Sequence, residues 1–176
     1  LCERDDIDLV YIATDWLHHF PIAKYAMEHG KNVALEVPAA MNLEQCWELI
    51  DLSERTRKHC MMLENCVYDF FEVSALNMAR QGVFGEVLHV EGSYLHNLDD
   101  FWGEYKNNWR LDFNRKNRGD VYPTHGICPD CQVLGIHRTD LMDYPVAMAT
   151  NAVNAPNAVQ RPPGKPCTPL QTGQQH

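Results

Sequence analysis

The first 65 residues carry three short apolar runs separated by two amphipathic stretches, and this alternation constrains the fold more than any other feature of the chain. The runs are Asp8-Leu9-Val10-Tyr11-Ile12-Ala13-Thr14, Asn32-Val33-Ala34-Leu35-Glu36-Val37 and Cys60-Met61-Met62-Leu63. Each is short and bounded by polar residues or proline, which predicts buried strands, the second stopped by Pro38. Between the first two, Ile22, Ala23, Ala26 and Met27 share one helical face over about 20–29, with Pro21 expected in the first turn and Gly30 just past the end. Between the second and third, Asn42 is expected to cap a helix whose apolar stripe is Leu43, Cys46, Trp47 and Ile50. The β-α-β-α-β order predicts a parallel, doubly wound α/β sheet. Ligands of such sheets bind beyond the carboxyl ends of the strands, here residues 14–19, 36–38 and 64–65.

Downstream, Phe71, Ala75, Met78 and Ala79 predict a helix over 70–81 closed by Gly82. From Val87 to His96 the period changes to two, with Val87, His89, Glu91 and Ser93 on one face and Leu88, Val90 and Tyr94 on the other. That pattern predicts a strand of an open antiparallel sheet, so the architecture changes near residue 84. An aromatic and basic loop over 101–118 leads to Tyr122-Pro123-Thr124-His125-Gly126, then to an expected helix over 127–135 and a strand over 146–150. Three regions follow: 1–83 as part of a parallel-sheet domain, 84–155 as an incomplete α+β domain with a mainly antiparallel sheet, and 156–176 as a disordered tail. The tail holds five of the ten prolines and almost no large apolar residues.

Composition removes several function classes. With 24 acidic and 15 basic residues the net charge is −9, and no basic stripe offsets it, so nucleic acid is excluded as a partner. No run of 18 apolar residues exists to span a membrane. Residues Leu1 to Asp6 contain neither an initiator Met nor an apolar signal core, so the true N-terminus is expected upstream and the localisation is not readable. The seven cysteines are read mainly as small buried hydrophobes. Cys128 and Cys131 have C-x-x-C spacing, but no second such pair or spaced His pair completes a metal site. His18 and His19, being adjacent, project apart on any regular element and form no metal site.

Ile12-Ala13-Thr14, His29-Gly30-Lys31-Asn32-Val33 and Leu35-Glu36-Val37-Pro38 resemble the oxidoreductases of the Gfo/Idh/MocA family. There the second of these strands ends in Glu-Lys-Pro; here Val37 replaces the lysine, so the catalytic ammonium of the sugar dehydrogenases is absent. Together with Trp16-Leu17-His18-His19, Asn65, Tyr94, Asn108-Trp109-Arg110 and Tyr122-Pro123-Thr124-His125-Gly126, this resembles one branch, glycoside hydrolase family 109, over roughly residues 5–150. That family's first loop reads Trp-x-Trp-His, whereas His18 stands at the third position here. The resemblance implies a Rossmann-type sheet, NAD as cofactor, and an α-N-acetylgalactosaminidase. No G-x-G-x-x-G occurs in the chain. The expectation is therefore a fragment that opens within the Rossmann domain, closes before the second sheet is complete, and binds NAD weakly or not at all by itself. The resemblance leaves export open as one option, since members of that family commonly carry an export signal.

NAD-dependent glycosidases depart from the usual pair of carboxylates. Oxidation of the sugar at C3 acidifies the C2 proton, a side-chain base removes it, the aglycone is eliminated, water adds, and the stored hydride returns. The protein supplies positioning and groups that move protons near neutral pH. The resemblance makes Tyr122 and His125 the catalytic candidates, His125 favoured as the proton-transfer residue because imidazole titrates near neutrality. It makes Tyr94, Tyr122, Pro123, Thr124 and His125 substrate contacts, and Trp16, Leu17, His18, His19, Glu36, Val37, Asn65, Arg110 and Tyr122 cofactor contacts. Plainer roles stay open. Tyr122 could pack in the core with His125 as a helix cap, Glu36 could be a solvated strand-end acid, Asn65 could cap a turn, and Arg110 could be a surface arginine. The expected substrate is a glycan or small molecule with terminal N-acetylgalactosamine. No motif encodes the oligomeric state, for which a homo-oligomer is one option. The alternatives are a sugar oxidoreductase, against which Val37 argues, and an inactive sugar-binding remnant.

Overall fold

The computed structural model describes residues 1–96, 108–116 and 121–148. Three strands, β1 (Leu9–Ile12), β2 (Asn32–Leu35) and β3 (Cys60–Met62), form a parallel sheet in the order β1-β2-β3. Leu9 pairs with Asn32 and Ile12 with Leu35 across the first ladder, and Val33 with Cys60 and Leu35 with Met62 across the second. Parallel neighbours require crossovers, and helices α1 (Trp16–Glu28) and α2 (Leu43–Thr56) supply them. The core forms where α1 and α2 meet one face of the sheet, joining Val10, Ile12, Val33 and Leu35 to Ala23, Ala26, Met27, Leu49 and Leu52. Each large side chain so buried contributes about 1.5–3 kcal/mol.

Four local expectations are corrected. Among the described residues the strands are covered on one face only, because Leu9, Tyr11 and Met61 alternate outward and are more than half exposed. Helix α1 begins before Pro21, because Asp15 is its N-cap and accepts the Leu17 N–H at 3.1 Å, leaving Pro21 inside the helix. In α2 the Asn42 cap is as expected, accepting the Gln45 N–H at 2.9 Å, but the buried residues are Leu49 and Leu52. Leu43, Trp47 and Ile50 are 67%, 61% and 51% exposed, and Cys46 is exposed too. The helix carries two apolar faces, and packing against α1 selects the less conspicuous one. None of the six described cysteines is fully buried.

Beyond β3, α3 (Phe70–Arg80) packs against α5 (Pro123–Leu134). Its buried residue is Leu76, whereas Phe71 of the expected stripe is 80% exposed. Gly82 follows with φ +72°, a backbone that glycine adopts without strain. Residues 87–96 are not in a hydrogen-bonded ladder, and neither are 146–148, so the expected antiparallel sheet is not formed among the described residues. Alternation supplies two faces for a strand, but a strand also needs a neighbour to satisfy its backbone. The segment 109–116, expected within a loop, is helix α4 (Trp109–Lys116). Residues 149–150 of the last expected strand and the whole of the tail, Cys167 included, lie outside the described residues.

The chain divides into two compact units. One comprises Leu1–Leu95 with Tyr122–Val146, and the other His96–Val121 with Ala147–His176. In the second, Asn108 accepts the Arg110 N–H at 3.0 Å, the Asn114 side-chain amide donates to the Arg110 carbonyl at 2.8 Å, and Leu111 is buried. Among the described residues no helix is long and apolar enough to cross a membrane.

Candidate active site

The Tyr-Pro-Thr-His segment opens a helix. Tyr122 is the N-cap of α5, with φ −128°, and Pro123 occupies the first helical position, where its fixed φ suits a helix and its missing N–H costs nothing. The His125 N–H donates to the Tyr122 carbonyl at 3.1 Å, closing a turn that brings the two side chains to one side. Their rings stack, with centroids 5.1 Å apart and planes 10° apart. Tyr94 reaches the same place from the extended segment, its ring 4.4 Å from His125 and 5.7 Å from Tyr122. Trp16, the first residue of α1, meets Tyr122 edge-on at 5.0 Å. Four of the expected site residues thus converge from three segments distant in sequence.

A fifth group joins them. Glu64, two residues past β3, places Oε1 against Nδ1 of His125, and the side chains are 6% and 5% exposed. The contact is an ion-pair approach, and Nδ1 of His125 and both carboxylate oxygens of Glu64 are buried with no hydrogen-bond partner. Glu64 was visible in the sequence only as one polar residue at a strand end, the position where doubly wound sheets collect ligands. The Thr124 hydroxyl is also buried without a partner.

Along the carboxyl ends of the strands, Tyr11, Glu36, Glu64, Asn65, Tyr68, Cys128 and Gln132 help to line a cavity of about 530 Å³. The Tyr11 hydroxyl donates to Oε1 of Glu36 at 3.0 Å, which pushes its pKa up because the bond to a carboxylate favours the protonated phenol. Burial pushes the Cys128 thiol up, and the nearby Glu64 and Cys131 add to the effect. Cys131 moves the same way through burial and Asp130. Among the described residues no three His, Cys, Asp or Glu side chains gather as metal ligands.

The remaining expected residues scatter. Val37 is buried, and Glu36 and Asn65 are exposed at the ends of their strands. His19 is fully buried, Leu17 is exposed, and Pro123 faces solvent at the start of α5. His18 is exposed and binds Oδ2 of Asp15 through Nδ1 at 2.6 Å, which lowers the Asp15 pKa. Arg110 belongs to the second compact unit, its guanidinium 4.6 Å above the ring of Trp109.

These residues suit the sugar-and-amide end of a dinucleotide better than its phosphates. Glu36 has one oxygen on Tyr11 and a second available to accept from ribose hydroxyls, and the Asn65 amide offers both donors and an acceptor. The first turn of α1, by contrast, is already capped by the Asp15 carboxylate, which disfavours an anion there.

Residues 68–169 match the profile of "Glycosyl hydrolase 109, C-terminal domain", more than half of the chain. The chain belongs to glycosyl hydrolase family 109. Residues 1–64 match "Oxidoreductase family, NAD-binding Rossmann fold", so this α/β unit is the NAD-binding kind. Glycosyl hydrolase family 109 protein 1 of Bacteroides thetaiotaomicron is 66% identical over 99% of the chain, and a family 109 protein of Porphyromonas gingivalis is 65% identical over 99%. The chain spans 38% and 37% of those two proteins. An oxidoreductase of Bacillus cereus of known structure is 26% identical over 50% of the chain and 25% of its own, with a TM-score of 0.48.

Proposed function

We propose that this chain forms part of an NAD-dependent glycosidase that releases terminal α-linked N-acetylgalactosamine. The observation that carries the reading is the convergence of His125, Tyr122 and Tyr94 at the first turn of α5, close to the strand ends where a Rossmann sheet holds its cofactor. Bound NAD would supply oxidation of the sugar at C3 and return of the hydride at the end.

The chain's own residues have the remaining work. His125 exchanges the proton that leaves C2, since imidazole serves as base and acid near neutral pH. Tyr122, stacked on it, gives a hydroxyl to the same sugar face, and Tyr94 offers a flat apolar wall with a polar tip against which a pyranose can lie. Thr124 contributes its partnerless hydroxyl and Pro123 a rigid edge. Trp16, Leu17, His18, His19, Glu36, Val37, Asn65, Arg110 and Tyr122 are proposed for the cofactor side. Val37 leaves that side without an ammonium, which favours the glycosidase over a sugar oxidoreductase. For the domains we propose 1–83 as part of the NAD-binding domain and 84–155 as part of the substrate domain, the latter also supplying Arg110 and Tyr122 to the cofactor.

The test uses the full gene product with p-nitrophenyl α-N-acetylgalactosaminide and simultaneous NADH absorbance. Nitrophenol release with no lasting NADH is expected. NADH accumulation without nitrophenol would make the protein a dehydrogenase, and silence in both channels would leave a sugar-binding role.

A further inference from the structure

We propose that Glu64 is a positioning residue for His125: its carboxylate accepts the Nδ1 proton and commits the ring to the tautomer in which Nε2 alone exchanges protons with the sugar. The inference rests on the reading of His125 as the proton-transfer residue. It is carried by a contact between residues 61 positions apart, both almost entirely removed from water.

Three observations converge. Oε1 of Glu64 faces Nδ1 of His125, and a carboxylate in that place can only accept, so the proposed pairing puts the hydrogen between them on the imidazole. Both atoms are buried with no hydrogen-bond partner, and buried polar groups are costly when left alone, so each has only the other, already at ion-pair distance, to turn to. The partner also sits on a firm base. Leu63, next to Glu64, donates its N–H to the Leu35 carbonyl at 2.8 Å, which extends the sheet ladder to the residue before the carboxylate. His125 is held in turn by the first turn of α5, by the Tyr122 ring stacked on it and by the Tyr94 ring tilted against it.

The consequence is chemical. A free imidazole interconverts between two tautomers and can offer either nitrogen as the base. Once Nδ1 is bonded to a buried carboxylate, only Nε2 remains to accept a proton, and the carboxylate also balances the charge that arises when it does. General acid–base catalysis contributes about 100- to 10,000-fold, and much of that depends on the correct nitrogen being bare. Glu64 touches neither sugar nor cofactor in this scheme, and acts through His125.

The experiment labels histidine with ¹⁵N in the full gene product and reads the ring tautomer by long-range ¹H–¹⁵N correlation, with His125→Asn for assignment. The expected wild-type spectrum has a protonated Nδ1 and a bare Nε2 at His125. Glu64→Ala is expected to release the ring to the Nε2–H form or a mixture, and to lower kcat for glycoside release by roughly 100-fold while KM changes less than about threefold. Glu64→Gln retains an acceptor oxygen, so it should keep the tautomer and recover part of kcat even if the alanine variant folds poorly. A wild-type ring protonated at Nε2, or a tautomer unchanged in Glu64→Ala, would overturn the proposal. If His125→Asn cleaves glycoside as fast as wild type while the Glu64-dependent tautomer is present, the assignment of His125 to catalysis fails and the pairing stands.

Discussion

The ring of His19 places Nδ1 2.7 Å from the carbonyl oxygen of Pro38, and so ties the first turns of α1 to the residues that follow β2. Its Nε2 lies 3.1 Å from the Thr14 carbonyl, before the helix begins. A fully buried imidazole thus spans the two loops at the ends of neighbouring strands. A leucine would leave those carbonyls without this partner, and an unsatisfied buried polar group costs about 1–3 kcal/mol. His19→Leu should lower the unfolding free energy by that amount in a urea titration. An unchanged midpoint would mean that the loops are held by other contacts.

The corrected face of α2 gives a second expectation. Leu52 is fully buried and Trp47 is 61% exposed, although the sequence stripe ran through Trp47. Leu52→Ala should cost about 2–5 kcal/mol, as large-to-small core changes do, while Trp47→Ser should stay within about 0.5 kcal/mol. Thermal unfolding of the two variants distinguishes the faces directly. A Trp47 variant as damaging as the Leu52 one would show that the wrong face has been assigned to the core.

Acid should loosen the start of α1. The bond from His18 holds the Asp15 carboxyl below the ordinary carboxylate value, so the folded state binds this proton less readily than the unfolded chain. Stability from a lowered carboxyl is complete above the unfolded value of about 3.9 and is lost as pH falls through the folded one. Carboxyl ¹³C titration should find Asp15 below the ordinary aspartate value, and His18→Gln should move it up toward that value. No movement in that variant would remove His18 as the cause.

Thiol reactivity reports on the same cavity from another side. Burial and the Glu64 charge both push Cys128 up, whereas Cys46 is exposed. Only the thiolate attacks, so at pH 7.5 iodoacetamide should label Cys128 roughly tenfold more slowly than Cys46, read by peptide mass spectrometry. Glu64→Gln should shorten that gap. Equal rates in the wild type would contradict the placement of Cys128 beside Glu64.

The parallel half of the fold was legible because each strand stands out as a short apolar run, around Leu9–Ile12, Asn32–Leu35 and Cys60–Met62, and Ala23, Ala26 and Met27 recur at helical spacing between the first two. The choice of face on α2 was not legible. Leu43, Cys46, Trp47 and Ile50 have the same spacing that a buried face requires, and only contact with α1 favours Leu49 and Leu52. Residues 87–96 show the converse, an alternating pattern for which the described residues hold no ladder partner. At the site, the three-residue spacing of Tyr122 and His125 pointed to a shared face once a helical turn began there. Glu64 could not be found that way, because its relation to His125 is a property of the folded chain alone.

The approach of the extended segment to α5 sets the position of the Tyr122 and His125 turn, and two glycines permit it. A Cβ on Gly126 would lie 3.0 Å from the Gly92 carbonyl oxygen and 3.1 Å from its carbon, and one on Gly92 would lie 2.7 Å from Oδ2 of Asp130 and closer still to the Gly126 carbonyl. The Gly92 N–H also bonds Asp130, whose pKa burial raises despite that bond. In Gly126→Ala the tight contact is opposed by helix propensity, which favours alanine by about 1 kcal/mol, so the net change should be small. Gly92→Ala has no such compensation and meets backbone as well as a carboxylate, so the segment must move away from α5. Hydrogen exchange at residues 124–127 should quicken in Gly92→Ala well beyond Gly126→Ala, and the Tyr94 ring should lose its contact with His125. If the two variants exchange alike, the glycines do not set this crossing, and the placement of Tyr94 against His125 must come from elsewhere in the segment.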